Sequence, residues 1–497
     1  MKSNFKILLI LSCFFLSCED FLDETPKSQK TIVGTSLLDA QESVNGIYAF
    51  LRAPYDKTGY AKMAYSSLEV STGVLKPAYG TQDTDMEDAY RLVYSSSSAN
   101  AELLWATYYK GIEAANVAIA SIPNITDPEL TANIANGLLG EAYFLRAYYY
   151  FQLVQIFGDI PLNITPSSSL QDGTLSKSTV KEVYETVIVP DLLEAESAGL
   201  PNNSTSGRVT LGAVKSLLAK VYLTMAGNPL NQTEKYSLAR DKANEVINSS
   251  DYNLFQTDAS STWFNKLNNP AHDNLGENIF MVQYASSGVT SSFTTYFTPL
   301  TGEAITDQSL HFGGMEPEAD FISSYDAADL RGQNQGFFFN ELDGITFNNS
   351  VYKFFYDGYR TANGVSNKDF PLIRYADVLL TYAEAQNEAG SAADASAYTA
   401  LNAIRSRAGL TDVSGLSKSE FREEVLKQRV LEFPAEAGLI WFDMRRTMKA
   451  FNGSGFNDFV GHTLPNGQTL SADHIYFPIP QSEVVLNPNL GGELEYH

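Results

Sequence analysis

A short acidic tract carries the residues whose spacing comes closest to a metal site. Asp83, Asp85, Glu87 and Asp88 follow one another with few residues between them. Their oxygens alternate along the chain, as the ligands of a calcium-binding loop do. The tract lacks the glycine that gives such a loop its sharp turn. We therefore expect a solvated acidic loop and no cofactor, with a structural calcium ion as the alternative.

Catalytic residue types are present without the spacings that usually accompany them. Zinc-binding histidines commonly pair at i,i+4 or lie beside a cysteine. None of the five histidines does so, and these are His272, His311, His462, His474 and His497. The chain also has no Gly-x-Ser-x-Gly elbow and no phosphate-binding loop. Paired carboxylates need no motif, and 58 acidic residues leave acid–base chemistry open, but we predict that the protein is not an enzyme.

One strongly apolar helix stands out among the elements that would position any site. Two adjacent apolar stripes run along residues 140–157, one through Phe144 and the other through Tyr149. A helix with two such stripes must be covered on two sides. Gly158 is expected to end it. The pair Tyr149–Tyr150 is therefore predicted to lie in the core.

Small residues recur at comparable places in three helical segments. Ala147, Ala219 and Ala383 would each let a neighbouring helix approach closely, as in tetratricopeptide-like helix pairs. The first two are separated by about two repeats of roughly 34 residues, whereas the third lies too far along the chain to be contiguous. We predict a mainly α, tetratricopeptide-like scaffold over roughly residues 30–250 and 370–450.

The residues between the two scaffold parts differ in composition. Roughly residues 255–370 form a large, irregular, loop-rich insertion that is expected to carry short strands, because Glu277–Tyr284 alternates in hydrophobicity. A second irregular tract runs from Ser71 to Ser98. We predict that residues 18–497 form one structural unit with these two tracts on its surface.

The charge balance excludes one class of partner. The chain has 34 lysine and arginine residues against 58 acidic residues, and its formal net charge is -24. Such a protein repels the phosphate backbone of nucleic acids. We therefore predict that it binds no nucleic acid.

The first 17 residues have the layout of a secretion signal. Two lysines precede an apolar run, residues 7–16, that is too short to span a bilayer. Cys18 follows and is predicted to become the acylated amino-terminus once residues 1–17 are removed. Cys13 is the competing acceptor. A simple secreted protein is the alternative reading of this segment.

Several motifs in a fixed order resemble one known family. The helix through Arg146 ends in Phe157-Gly-Asp-Ile-Pro161, which is similar to a signature of the SusD/RagB family, the outer-membrane nutrient-binding lipoproteins of Bacteroidetes. Further similar segments cover the chain nearly end to end, and they are residues 105–116, 208–226, 374–385, 401–410, 429–433, 441–446, 477–480 and 487–490. The acidic run after Cys18 also resembles the surface-export signal of such lipoproteins.

The resemblance implies a function, a partner and a location. It implies a lipid-anchored protein on the outer-membrane surface that captures an oligosaccharide or polysaccharide and passes it to a SusC-type TonB-dependent transporter. Peptide capture, as in the RagB branch, is the alternative among binding proteins. A secreted glycoside hydrolase is the alternative of another class.

In the family that this chain resembles, loops emerging from the helical layer contact the ligand, and sugars need flat aromatic faces and forked polar groups. Trp105 and Trp441 fall in scaffold motifs and are expected to be core, which leaves Trp263 as the tryptophan free to stack on a ligand. The further candidates in the two irregular tracts are Tyr79, Asp83, Phe293, Tyr296, Phe297 and Phe312.

Overall fold

The computed structural model describes residues 34–56, 63–167, 173–292, 296–299, 305, 314–360 and 366–491. The predicted signal peptide and Cys18 lie outside these residues. Within them, no helix is long and apolar enough to cross a membrane.

The first part of the scaffold is almost entirely helical. Its helices are α1 (Leu37–Tyr48), α2 (Ser66–Val70), α3 (Thr84–Tyr90), α4 (Ala99–Ser121), α5 (Ala132–Phe157), α6 (Val180–Val183), α7 (Val189–Ser197), α8 (Leu211–Ala226) and α9 (Lys235–Ser249). Its short strands are β1 (Leu75–Pro77), β2 (Ile160–Pro161) and β3 (Lys177–Ser178). A π-helical turn, Tyr184–Ile188, joins α6 to α7.

The insertion and the second part of the scaffold follow. The insertion contains α10 (Trp263–Asn268), β4 (Asn278–Val282), β5 (Met315–Pro317), α11 (Ala319–Ser323), β6 (Phe338–Leu342), β7 (Ile345–Val351) and β8 (Phe370–Arg374). The chain then forms α12 (Tyr375–Ala389), α13 (Ala395–Arg407), α14 (Lys418–Glu432), α15 (Leu439–Thr447), β9 (Lys449–Phe451), β10 (Phe456–Asp458) and α16 (Gln481–Leu486).

Helix pairs build the scaffold, which confirms the predicted fold class. Helix α4 packs on α5, α8 on α9, and α12 on both α9 and α13. Ala147, Ala219 and Ala383 are fully buried in α5, α8 and α12. The insertion therefore separates helices that pack together in space, since α9 precedes it and α12 follows it.

Helix α5 is the buried inner helix that its two apolar stripes predict. The Thr131 hydroxyl accepts a hydrogen bond from the Ile134 amide at its start. Gly158 ends it with a φ of 75°, a conformation that favours glycine. Tyr149 and Tyr150 are fully buried, as predicted.

The strands of the insertion are held against the scaffold. Strands β4 and β8 pair antiparallel and pack on α8. The alternation of Glu277–Tyr284 predicted a strand, which β4 confirms, and all five residues of β4 are buried. On one face, Phe280 packs edge-on against Phe144 of α5, with the ring centroids 5.0 Å apart.

A cluster of buried ions joins the insertion to the second scaffold part. We call Glu277, Arg331, Arg374, Arg407 and Glu432 the junction cluster. Arg374 donates to Glu432 at 3.1 Å, and Arg407 donates to Glu277 at 2.6 Å. Arg331 donates to Glu432 at 3.3 Å. Burial would raise the pKa of Glu432, but the three arginines outweigh it and lower that pKa to about 2.

Candidate ligand-binding site

The two irregular tracts predicted from the sequence meet in space. Strand β1 of the first tract pairs antiparallel with β5 of the insertion, with Leu75 opposite Pro317. The pairing continues on either side, because the Glu318 amide donates to the Val74 carbonyl at 3.0 Å and the Ala78 amide donates to the Gly314 carbonyl at 3.2 Å. Residues 74–78 and 314–318 therefore lie side by side and join the two irregular tracts.

A tight turn at the end of β1 presents Tyr79 to solvent. The Thr81 amide donates to the Ala78 carbonyl at 3.1 Å, which closes a four-residue turn. Gly80 has a φ of 84°, as the third residue of a type II turn requires. The turn leaves the Tyr79 side chain 87% exposed. Of the predicted contacts that the structure describes, only Tyr79 is available to a ligand.

Asp83 lies beneath this turn and has a structural role. Its carboxylate accepts the Met86 amide at 3.1 Å and so caps α3. The Asn100 side chain approaches it at 3.4 Å. Asp83 is 0% exposed, so both its placement in a solvated loop and its predicted contact with ligand are wrong.

Tyr296 and Phe297 also prove to be core residues. Both are 0% exposed. The Tyr296 ring fills the space above Gly314, where an added Cβ would come within 2.1 Å of it, and Phe297 packs on Phe354. Their predicted role as ligand contacts is therefore wrong. Phe293 and Phe312 lie outside the described residues.

Trp263 differs most from its predicted role as a residue that stacks on a ligand. It is 1% exposed and cannot stack on a ligand in this structure. The Arg407 guanidinium lies over its ring, 4.1 Å from the centroid, and Phe264 and Phe337 pack against it. Trp105 and Trp441 are buried, as predicted.

The segments that flank Tyr79, which are β1 with β5 and the following α3, carry several acidic residues, and we call them the rim. Several of their charges are engaged. The Tyr90 hydroxyl donates to Glu318 at 2.6 Å, and burial together with this bond raises the pKa of Tyr90. Lys76 and Glu316 form an ion pair across β1 and β5 at 3.4 Å. Asp85 accepts the Ala99 amide at 3.0 Å.

The acidic tract does not assemble a cation site in the described structure. The Asp83 and Asp85 carboxylates bond to backbone amides instead of converging on one point. Among the residues that the structure describes, no three histidine, cysteine or acidic side chains are grouped closely enough to hold a metal ion.

A concave surface lies elsewhere on the protein, between α4 and α16. It is a cleft of about 540 Å³ whose lining includes Trp105, Tyr109 and Leu486. Several of its polar groups are occupied by neighbours: Glu113 accepts the Ser167 amide at 3.0 Å, and Tyr109 donates to the Pro161 carbonyl at 2.8 Å. The turn at Tyr79 offers a more exposed aromatic face.

Local signals in the sequence could have separated Tyr79 from Trp263. The order Ala78-Tyr-Gly-Thr81 fits a turn with glycine in third place, which exposes the second residue. Thr262 is a good helix cap, and Trp263 is followed by apolar residues at helical spacing. That pattern is typical of a short buried helix.

Comparison with known proteins matches this architecture over most of the chain. The SusD family matches residues 341–496, and a family described as "Starch-binding associating with outer membrane" matches residues 20–223. A SusD-like protein of Formosa agariphila, P2, is 26% identical, and the match covers 99% of each chain.

Solved structures extend the similarity to the fold. A structure described as a surface glycan-binding protein A of Bacteroides thetaiotaomicron in complex with laminarihexaose has a TM-score of 0.73 at 19% identity, covering 92% of this chain and 99% of that one. A SusD superfamily protein of Parabacteroides distasonis is 32% identical, covers 92% of this chain and 99% of its own, and has a TM-score of 0.85. The chain therefore belongs to the SusD family.

Proposed function

We propose that the protein binds a glycan at the outer-membrane surface, with Tyr79 as an aromatic contact, and delivers it to a SusC-type TonB-dependent transporter. The observation that carries the proposal is the exposed Tyr79 ring at the point where the two irregular tracts meet. Membership of the SusD family supports it, as does the similarity to a starch-binding, outer-membrane-associated family.

The turn suits the apolar face of a sugar ring. An aromatic side chain gives a large contact area while it loses little conformational freedom. The Ala78–Thr81 bond and the β1–β5 pairing hold the turn in place, so little ordering is required when a ligand binds. Nearby carboxylate oxygens can accept hydrogen bonds from sugar hydroxyls.

The proposal includes binding without hydrolysis. A glycosidase needs a carboxyl group of raised pKa that reaches the scissile bond. Among the carboxyl groups whose pKa burial raises, the shift is largest at Glu69, to about 8, and at Asp369, to about 7. These side chains are 0% and 4% exposed, so neither can reach a substrate in this structure.

Calorimetry against soluble polysaccharides and peptides tests the binding step. We expect at least one glycan to bind, Tyr79→Ala to weaken that binding, and Tyr79→Phe to keep most of it because the ring remains. Leu38→Ala is the matched control, since Leu38 is an exposed apolar residue on α1. Binding of peptides alone would favour the RagB-like alternative, and shortening of a bound glycan would contradict the absence of hydrolysis.

The anchor and the transporter need a separate experiment. Acylation of Cys18 is proposed from the acidic run that follows it, and Cys18→Ala should release the protein from the outer membrane. The wild-type protein should copurify with a SusC-type transporter from detergent-solubilised outer membranes. Mass spectrometry that finds the acyl chains on Cys13 would contradict the assignment, and purification without any such transporter would contradict the delivery role.

A further inference from the structure

We infer that the surface around Tyr79 selects uncharged glycans and rejects sulfated or uronate-rich ones. This inference rests on the proposed function, because it concerns the ligand of the same site. It follows from the distribution of cations in the loops that build the site.

The segments that meet at the site carry almost no positive charge. The chain has no lysine or arginine between Lys76 and Arg91, the two cations that flank the turn at Tyr79 in the sequence. It has none between Lys266 and Arg331, a stretch that supplies β5 and the segment around Tyr296. Residues 459–470, which approach Gly73 and Tyr90, have none either.

The cations that border these segments are already paired. Lys76 lies 3.4 Å from Glu316, and Arg91 lies 3.1 Å from Glu87. Farther into the insertion, Arg331 is buried against Asp329. Within the described part of the site, Lys76 and Arg91 therefore each face a carboxylate and lie apart on β1 and after α3, whereas proteins usually bind a sulfate or a uronate carboxylate with forked or clustered cations.

Carboxylates, in contrast, are concentrated at the rim. Asp85, Glu87 and Asp88 belong to α3, which follows the turn, and Glu316 lies on β5. Charges interact over about 8 Å at physiological ionic strength. These four carboxylates outnumber Lys76 and Arg91, so the segments that flank Tyr79 carry a net negative charge that opposes a polyanion. A neutral glycan presents hydroxyl donors, which carboxylate acceptors bind well.

The test compares the same polymer with and without charge. Laminarin, pullulan, xylan and agarose oligosaccharides serve as neutral probes, and dextran sulfate, carrageenan, alginate and polygalacturonate serve as anionic probes. We expect Tyr79-dependent binding of at least one neutral probe. Its chemically sulfated derivative should bind about tenfold or more weakly at low salt, and the difference should shrink as salt is added.

Two variants test whether the carboxylates of the rim cause the difference in affinity between the neutral and the sulfated probe. Glu87→Gln removes the partner of Arg91 and should narrow the gap between the neutral and the sulfated probe. Glu245→Gln makes the same change of net charge on α9, where Glu245 pairs with Lys215 at 2.8 Å, and should leave the gap unchanged.

The failures of the two proposals are distinguishable. An anionic probe that binds in a Tyr79-dependent way at least as tightly as every neutral probe would overturn the charge selection and leave glycan binding intact. The charge selection would also be overturned if the neutral and the sulfated probe differed in affinity by the same factor in Glu87→Gln and in the parent protein. If no probe of either kind depends on Tyr79, the proposed site fails, and the inference fails with it.

Discussion

Trp263 and Tyr79 are large aromatic residues in irregular tracts, and the structure treats them in opposite ways. Trp263 is the first residue of α10. Its ring is covered by Arg407 of α13, which follows the insertion in the chain. Tyr79 occupies a turn that is closed by its own neighbours, and its ring faces solvent. A side chain whose surroundings come from distant residues becomes core, whereas one placed by a local turn stays available.

The junction cluster and the rim around Tyr79 also differ in the burial of their charges. At the junction cluster, opposite charges are buried and satisfy one another, so they hold the insertion in place. At the rim around Tyr79, the Arg91–Glu87 pair is partly exposed and contributes little to stability. Changes at the junction should therefore affect folding, and changes at the rim should affect binding.

Glu432→Gln should have the largest effect. It leaves three buried arginines without their shared carboxylate, and we expect the free energy of unfolding at neutral pH to fall by about 3–5 kcal/mol. Glu423→Gln, on the exposed face of the same helix, should change it by less than about 0.5 kcal/mol. Denaturant titration of both variants measures the difference.

The pH dependence of that variant gives a second check. The pKa of Glu432 is lowered from 4.5 to about 2, so as the pH falls the unfolded chain takes up this proton before the folded one. Its contribution is complete above about pH 4.5 and is lost as the pH approaches 2. The difference in the free energy of unfolding between the parent protein and Glu432→Gln should decrease over that interval. A difference that stays constant would contradict the assigned ion pairs.

Trp263→Ala should destabilise the protein by a similar amount. Truncation of a buried tryptophan typically costs about 3–5 kcal/mol of stability, and here it also uncovers Arg407. Under conditions where the variant remains folded, its affinity for glycan should match that of the parent protein. A stable variant with weakened binding would mean that the ring becomes accessible to the ligand.

Tyr79→Ala should show the reverse pattern. We expect binding to weaken by about 1–3 kcal/mol, the range for removal of an interface anchor, while the free energy of unfolding changes by less than about 0.5 kcal/mol. Calorimetry and thermal melts on the same preparation measure both. A Tyr79→Ala variant that is clearly less stable than the parent protein would mean that Tyr79, like Trp263, stabilises the fold.

Asp83→Ala should have the smallest effect. Loss of the cap on α3 costs about 1 kcal/mol of stability, and Asp83→Asn should recover much of it because the amide oxygen can still accept the Met86 amide. If Asp83→Ala kept its stability but lost glycan binding, Asp83 would be a ligand contact after all.

The sequence predicts the scaffold well because the relevant signals are local. The two stripes of α5 and the glycine at position 158 lie within one helix, and both were confirmed. The buried aromatics of the insertion were not predicted, because their partners are remote. Tyr296 is covered through Gly314 and Met86, and Trp263 through Arg407, and no local periodicity reports such contacts. Tyr79 was among the candidates, and its turn residues explain why it remains one.

The pairing of β1 with β5 also bears on when the site forms. Tyr90 and Glu318, which bond across it, are separated by 228 residues. Closing so long a loop is slow and entropically costly compared with forming the local helix pairs. During synthesis, the helices of the first part can form before the segment that completes the Tyr79 surface has been made. This surface should therefore be among the last features to mature, so truncated chains would have helices but no complete Tyr79 surface.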